Sequence, residues 1–247
     1  MTRKRRTSRR KRLTKAQIRT LITLAFVFIS AVTTLIYECV GRQATSATDP
    51  QATVVATTPA DPTKTTVRSL DIGQGDSTII ELPDGKTMVI DAGPRGSEKI
   101  IEAQLEADNR SRIDYLVATH PDADHIGGMA QLIKDTDVGS IWAPNVTNNT
   151  ETFRSLLNAI DKKGLTITQA SSGTNIAKTD QYSIDILWPP TSAQFDDTNG
   201  YSIIIKLTVS ERTFLFTGDA PTDAIMRSVD GHVDVLKVSH HGSRTGA

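Results

Sequence analysis

Apolar and β-branched residues gather in short runs over 67–72, 77–82, 87–90, 113–118, 140–142, 165–168, 182–187, 201–209, 213–216 and 233–238. Runs of this length, most of them bounded by Gly, Pro, Asp or other turn formers, predict strands. Helical spacing appears between them over 97–107 and 150–163, and again where Met129, Leu132 and Ile133 fall at i, i+3 and i+4. Pro83-Asp84-Gly85 is a turn, which makes 77–90 a hairpin. Trp188-Pro189-Pro190 ends a strand at the margin of a sheet. No internal repeat is evident. A strand-rich order with interspersed helices predicts a layered α/β domain built on paired sheets, and not a doubly wound nucleotide-binding fold.

The pattern changes before residue 67. Residues 1–19 carry ten Lys or Arg and no acid, and an uncharged apolar run of 18 residues follows over 20–37. Such a run makes about 27 Å of helix against a hydrocarbon thickness of roughly 30 Å, so a single transmembrane helix over 20–38 is expected. It is longer than the core of a cleavable signal, and Thr45-Ser46-Ala47 offers only a weak cleavage site, so an uncleaved anchor is expected. The basic run reads as a topological signal, the alternative being an arm that grips nucleic acid. Its place directly before the span favours the first. The expected location is therefore the cell membrane, single-pass, with residues 1–19 a cytoplasmic tail and all that follows the span extracytoplasmic. Cys39, the only cysteine, stands at the membrane edge as an incidental interfacial residue and leaves the exported part without a disulfide. Residues 39–66, rich in Ala, Thr, Pro and Asp, read as a flexible linker, and 67–247 as one domain. A net charge of zero conceals an acidic domain: 67–247 holds 16 Lys or Arg against 25 Asp or Glu, a formal charge of −9. A general nucleic-acid-gripping surface is normally basic.

Candidate chemistry concentrates in Thr119-His120-Pro121-Asp122-Ala123-Asp124-His125-Ile126-Gly127-Gly128. Pro121 disfavours helical geometry at His120, so this histidine is expected to end a strand, with a loop following before the helix near Met129. His120, Asp122, Asp124 and His125 are four potential metal ligands within six residues. A loop can turn all four inward, whereas a strand, with alternating faces, cannot. Asp219 in Phe216-Thr217-Gly218-Asp219, and His240 with His241 in Val238-Ser239-His240-His241-Gly242-Ser243, follow two further strands. Ligands at three strand ends suit a metal site at one edge of a sheet. The competing reading is a polar surface loop with incidental histidines, and the recurrence of His beside carboxylates in separate contexts weighs against it.

On these residues the chain resembles the metallo-β-lactamase superfamily, HPDADH following its HxHxDH signature with Asp122 in place of the second histidine. It is similar in particular to the exported hydrolase domain of ComEC-type competence proteins. That likeness runs through LDIGQGDS (70–77), VIDAG (89–93), HPDADHIGG (120–128), NGYSIIIKL (199–207), LFTGDA (215–220) and LKVSHHGS (236–243), in the family's order and across nearly the whole domain. The resemblance implies an α/β (α+β) fold, an αββα sandwich with two divalent metal ions at its edge. It implies His120 and Asp122 as ligands of the first metal, Asp124 and His125 of the second, Asp219 bridging them, and His240 completing the second site, with His241 as the substitute one position on. Asp91 matches a structural aspartate that supports the ligand loop and is not itself a ligand.

Many members have another histidine ligand between the first loop and Asp219, and 126–218 contains none. Asn199 and Ser202 are candidates to stand near metal or substrate there, an ordinary loop role being the alternative. Three carboxylates and three imidazoles accept Mn²⁺ as well as Zn²⁺. Asp71, Gln74 and Asp76 are candidate pocket residues, although Gly73 and Gly75 equally suit a tight strand connection. His232 reads as a surface turn residue. Asp124 is the expected catalytic group, ligating metal and orienting the attacking hydroxide. The implied substrates are phosphodiesters, DNA among them, while the domain's acidity favours a smaller exported phosphodiester such as a cell-wall or phosphocholine-bearing polymer. A noncatalytic extracellular binding module is the reading from a different class. No protein partner is expected. Relatives typically continue with further strand and helix, so a truncated gene or fragment is also expected.

Overall fold

The computed structural model describes residues 64–192 and 194–244. These fall within one compact unit, 56–247. The expected tail and membrane span, and nearly all of the linker, lie outside the described residues. Among the described residues no helix is long and apolar enough to cross a membrane.

Two sheets make the frame. The first has strand order β1-β2-β3-β4-β5-β6, comprising β1 (Thr66–Ser69), β2 (Thr78–Glu81), β3 (Thr87–Ile90), β4 (Arg112–Val117), β5 (Asp137–Ala143) and β6 (Ile167–Gln169). The second has order β11-β10-β9-β8-β7, from β7 (Asn175–Lys178), β8 (Tyr182–Trp188), β9 (Ile204–Val209), β10 (Arg212–Phe216) and β11 (Val235–Lys237). The expected hairpin is present as β2 and β3, antiparallel with Thr78 opposite Ile90.

Period-two alternation sorts the side chains between layers. Ile79 and Val89 face a core shared with α1 (Glu98–Ala107), α3 (Met129–Asp135) and α4 (Glu151–Lys162), through Ile101, Leu105, Leu132, Ile133 and Leu156. Their neighbours Ile80, Met88 and Ile90 face the other way, into a core with Ile184, Ile186, Ile205 and Leu207 of the second sheet. On the outer side of that sheet, Trp188, Ile204 and Leu215 pack with Ala224 of α5 (Thr222–Ser228). The layers are helix, sheet, sheet, helix, as expected.

Three local readings are corrected. The stretch after His120 is not a loop up to Met129: α2 (Ala123–Ile126) forms first, because Asp122 stays extended (φ −84, ψ 149) while its carbonyl accepts from His125 N and Ile126 N. The apolar run at 201–209 becomes strand only from Ile204, since Asn199–Tyr201 is a 3₁₀ turn. Strand β7 and helix α5 add elements that the hydrophobic pattern did not reveal.

Candidate metal centre

The C-terminal ends of β3 and β4, which run parallel, and of β10 and β11, also parallel, converge on one edge of the sandwich. They deliver Asp91, His120, Asp219 and the His240-His241 pair to it.

Asp91 is fully buried with a left-handed backbone (φ 59). Its Oδ1 accepts from Thr119 N at 2.8 Å, and its Oδ2 accepts from Thr119 Oγ1 at 2.6 Å and from His125 Nδ1 at 2.7 Å. The single hydroxyl proton of Thr119 is thereby committed to Asp91, so at 3.0 Å its oxygen accepts from His120 Nδ1. In their neutral form both imidazoles are held with Nδ1 protonated, which leaves Nε2 without a proton. Asp91 stands where a structural aspartate is expected.

The two bare nitrogens face Asp219. His120 Nε2 lies 3.9 Å from its Oδ2, and His125 Nε2 lies 3.2 Å from its Oδ1. These two nitrogens and Asp219 Oδ1 are buried with no hydrogen-bond partner. Lone pairs gathered without a donor repel one another, and buried polar atoms without partners are destabilising unless a proton or cation joins them. The electrostatics agree: burial works against a charged His125, yet the Asp91 and Asp219 carboxylates push its pKa up to about 11. Burial would raise Asp219, and the close approach and charge of His125, with His120 and His241 adding, hold it down to about 2. The cluster is built around a positive charge.

Asp122, at the N-cap of α2, places Oδ2 3.6 Å from His120 Nε2 and accepts on Oδ1 from Thr198 Oγ1 at 2.7 Å. Its pKa is lowered, by the approach of His120 first, against the opposing effect of burial. Asp124 Oδ2 lies 3.4 Å from His241 Nε2 and 4.0 Å from His125 Nε2. His240 and His241 both have left-handed backbones (φ 50 and 52), a conformation uncommon for residues with a Cβ. That turn brings both rings to Asp219 Oδ2, His240 Nε2 at 3.8 Å and His241 Nε2 at 3.7 Å.

Ligand atoms lie within 4.8 Å of one another in His120-His125-Asp219, in Asp124-His125-His241, in Asp76-Asp91-His125 and in Asp76-Asp219-His241. The second histidine of the pair thus joins the compact groups, while His240 flanks them with its Nδ1 3.5 Å from Asn199 Nδ2. Ser202 Oγ accepts from Asp219 N at 3.2 Å. His232 is exposed beside Asp234, as a surface turn residue should be.

The DIGQGD loop divides. Asp71 is exposed and accepts from Gly73 N at 3.4 Å, away from the cluster. Gln74 and Asp124 share the wall of a cleft of about 940 Å³ that also meets Arg95, Lys99 and Lys134. Asp76 is buried and donates its backbone N–H to Asp124 O at 3.1 Å. Gly75 is required by this close approach: a Cβ there would fall 2.5 Å from Asp124 O. Sequence reasoning missed Thr119, Thr198 and Lys237. Thr119 adjoins the signature and Lys237 stands inside LKVSHHGS, so adjacency to a motif was the signal available.

Comparison with known proteins gives a family and a set of relatives. The model of the Metallo-beta-lactamase superfamily matches residues 70–247. "ComE operon protein 3" of Bacillus subtilis is 26% identical over 199 residues, covering 72% of this chain and 25% of that protein. "Recombination protein 2" of Haemophilus influenzae is 28% identical over 188 residues, covering 72% of this chain and 21% of that protein. The chain therefore spans about a quarter of the length of these relatives. Among solved structures, the metallo-beta-lactamase fold protein YhfI from Bacillus subtilis aligns with a TM-score of 0.47 and 12% identity, covering 68% of this chain and 64% of that one. The family resemblance carried by the motifs is borne out.

Proposed function

Because the chain belongs to the metallo-β-lactamase superfamily, whose members are generally metallo-hydrolases, we propose that it is a membrane-anchored, extracytoplasmic hydrolase of phosphodiesters, DNA among them. The observation that carries this reading is the set of three buried, unpartnered atoms, His120 Nε2, His125 Nε2 and Asp219 Oδ1, aimed at one another inside a ring of carboxylates.

The donor set fits divalent cations, which His120, His125 and Asp219, and Asp124, His125 and His241, would hold, with Asp122 beside His120 and His240 the alternative to His241. Its mixture of carboxylate and imidazole suits Mn²⁺ and Zn²⁺ alike. Such ions would supply Lewis acidity toward a phosphodiester and would lower the pKa of the attacking water. The chain's own residues do the rest. Asp91 and Thr119 hold both imidazoles in the ligating tautomer. Thr198 fixes the rotation of Asp122. Asp124, about a third exposed at the wall of the cleft, is the carboxylate placed to meet an incoming substrate and orient the attacking water.

Metal analysis of the purified protein, hydrolysis of bis-p-nitrophenyl phosphate, and cleavage of linear DNA with Mn²⁺ or Zn²⁺ test the reading together. Asp124→Asn should lower turnover by about 10²–10⁴-fold while leaving the thermal unfolding profile in place. Wild-type turnover in that variant would remove Asp124 from the mechanism. Metal bound without turnover on any phosphodiester would favour a noncatalytic binding module, and turnover on small phosphodiesters without DNA cleavage would favour a cell-wall or phosphocholine-type substrate.

A further inference from the structure

One basic side chain enters the carboxylate cluster. Lys237, at the end of β11, pairs its Nζ with Asp76 Oδ2. Asp76 is buried, and its ligand oxygen lies within 4.8 Å of those of Asp91 and His125 in one group and of Asp219 and His241 in another. Among the described residues, every other ion pair to Asp76, Asp91, Asp122, Asp124 or Asp219 comes from a histidine. The strand end that carries the lysine is itself fixed, because Thr217 Oγ1 donates to Lys237 O at 2.8 Å.

Charge explains why a lysine stands there. Five aspartates converge on the edge, and two divalent cations would neutralise four of them. A fifth negative charge left buried beside the cations is destabilising by desolvation, and its position beside the histidines would let it compete for a metal. A tethered ammonium completes the count and occupies Asp76 at the same time. The pair also joins the β1–β2 loop, whose Gly75 and Asp76 press on Asp124, to the strand that leads into His240 and His241.

Resting on the metal-centre reading above, we propose that Lys237 is a positioning residue: its ammonium acts as a built-in monovalent cation that holds Asp76 out of metal coordination and sets the affinity of the site for its divalent ions. Nothing in this role requires contact with substrate.

The test is titration of metal-stripped full-length protein in detergent with Mn²⁺ alone, read by calorimetry, for the wild type, Lys237→Met, Lys237→Arg, Asp76→Asn and the Lys237→Met/Asp76→Asn double variant. Removing the positive charge and freeing Asp76 should tighten Mn²⁺ binding in Lys237→Met by at least ~10-fold, about 1.4 kcal/mol. Lys237→Arg keeps the charge and should stay within ~3-fold of wild type, and the double variant, which removes both charges, should return to that range. A purely structural lysine would instead weaken binding in Lys237→Met, and the double variant would not recover it. Unchanged or weaker Mn²⁺ binding in Lys237→Met, with the double variant folded and binding, overturns the proposal and leaves the metal centre standing. A wild type that binds neither Mn²⁺ nor Zn²⁺ overturns both. Should Lys237→Met alone fail to fold, the comparison of Asp76→Asn with the double variant decides: tighter binding in the double variant supports the role of the ammonium's charge, and equal or weaker binding overturns it.

Discussion

Thr119 makes the logic of the site visible at a single residue. Its hydroxyl proton goes to Asp91, its oxygen accepts from His120, and its backbone N–H also goes to Asp91, so one small side chain sets the tautomer of a histidine it does not resemble chemically. The signature residues themselves were legible in the sequence because ligand types recur at strand ends. Thr119, Thr198 and Lys237 were not, since threonine and lysine have many structural uses and only their partners, 28, 76 and 161 positions away, reveal these. The choice between His240 and His241 was likewise beyond sequence, because adjacent identical residues differ only through the left-handed turn that aims them. The titration of the cluster yields a prediction. In metal-free protein His125 has a pKa near 11 against an ordinary 6.5, so its ion pairs stabilise the fold fully below 6.5 and are lost as pH rises toward 11. Asp219, near 2 against an ordinary 3.8, reports the same interaction from the other side, present above 3.8 and lost as pH falls toward 2. Divalent cations held by His125 would replace its proton, so their binding should strengthen as pH rises. The unfolding temperature without metal should therefore fall from pH 6 to 9, and the gap between metal-loaded and metal-free protein should widen. A gap that stays constant across that range would mean that no proton is exchanged for metal at this cluster.

Elements were read well where alternation or helical spacing was strong. Strand β3 was placed to the residue, and Thr150, at the edge of the expected helix, serves as its N-cap, with Oγ1 accepting from Phe153 N at 3.2 Å. The misses share a cause. β7 has one large apolar residue, Ile176, and sits at a sheet edge; α5 buries Ala224 and little else; α2 is four residues long and ends on Gly127. None of them has enough apolar surface to leave a periodic trace. The same distinction separates elements that hold the fold from those that dress it. Ile80 of β2 is fully buried between the sheets, whereas Leu236 of β11 is 51% exposed on an edge strand. Ile80→Ala should cost ~2–5 kcal/mol in urea unfolding, and Leu236→Ser should change stability by no more than about 0.5 kcal/mol. A larger loss at Leu236 would show that something covers β11 in solution.

For the whole molecule, the distribution of charge carries the argument. Ten basic residues precede an apolar run, and a domain of formal charge −9 follows it. If both ends shared one compartment, the basic run would be free to meet the acidic domain or cytoplasmic nucleic acid. If the run is a topological signal, the two are separated by a bilayer and the domain meets phosphodiesters only outside. An alkaline phosphatase reporter fused after residue 66 should then be active in intact cells and a β-galactosidase fusion at the same point inactive. Replacing the ten basic residues with Gln or Ser should reduce the phosphatase signal, because the orientation depends on that positive charge and not on the apolar run alone. The reverse result, an active β-galactosidase, would keep the domain inside and turn the basic run back into a candidate nucleic-acid arm. For a domain on the outside, acidity sets what it can degrade. Even two divalent cations would leave it anionic, so contact with a polyanion has to be confined to the metal edge and to Arg95, Lys99 and Lys134 of the adjoining cleft, whose wall they share with Glu98, Glu102, Asp135 and Glu151. Cleavage of long DNA should for that reason engage few phosphates and lose affinity with salt along a shallow slope, while a short phosphodiester should be nearly indifferent to salt.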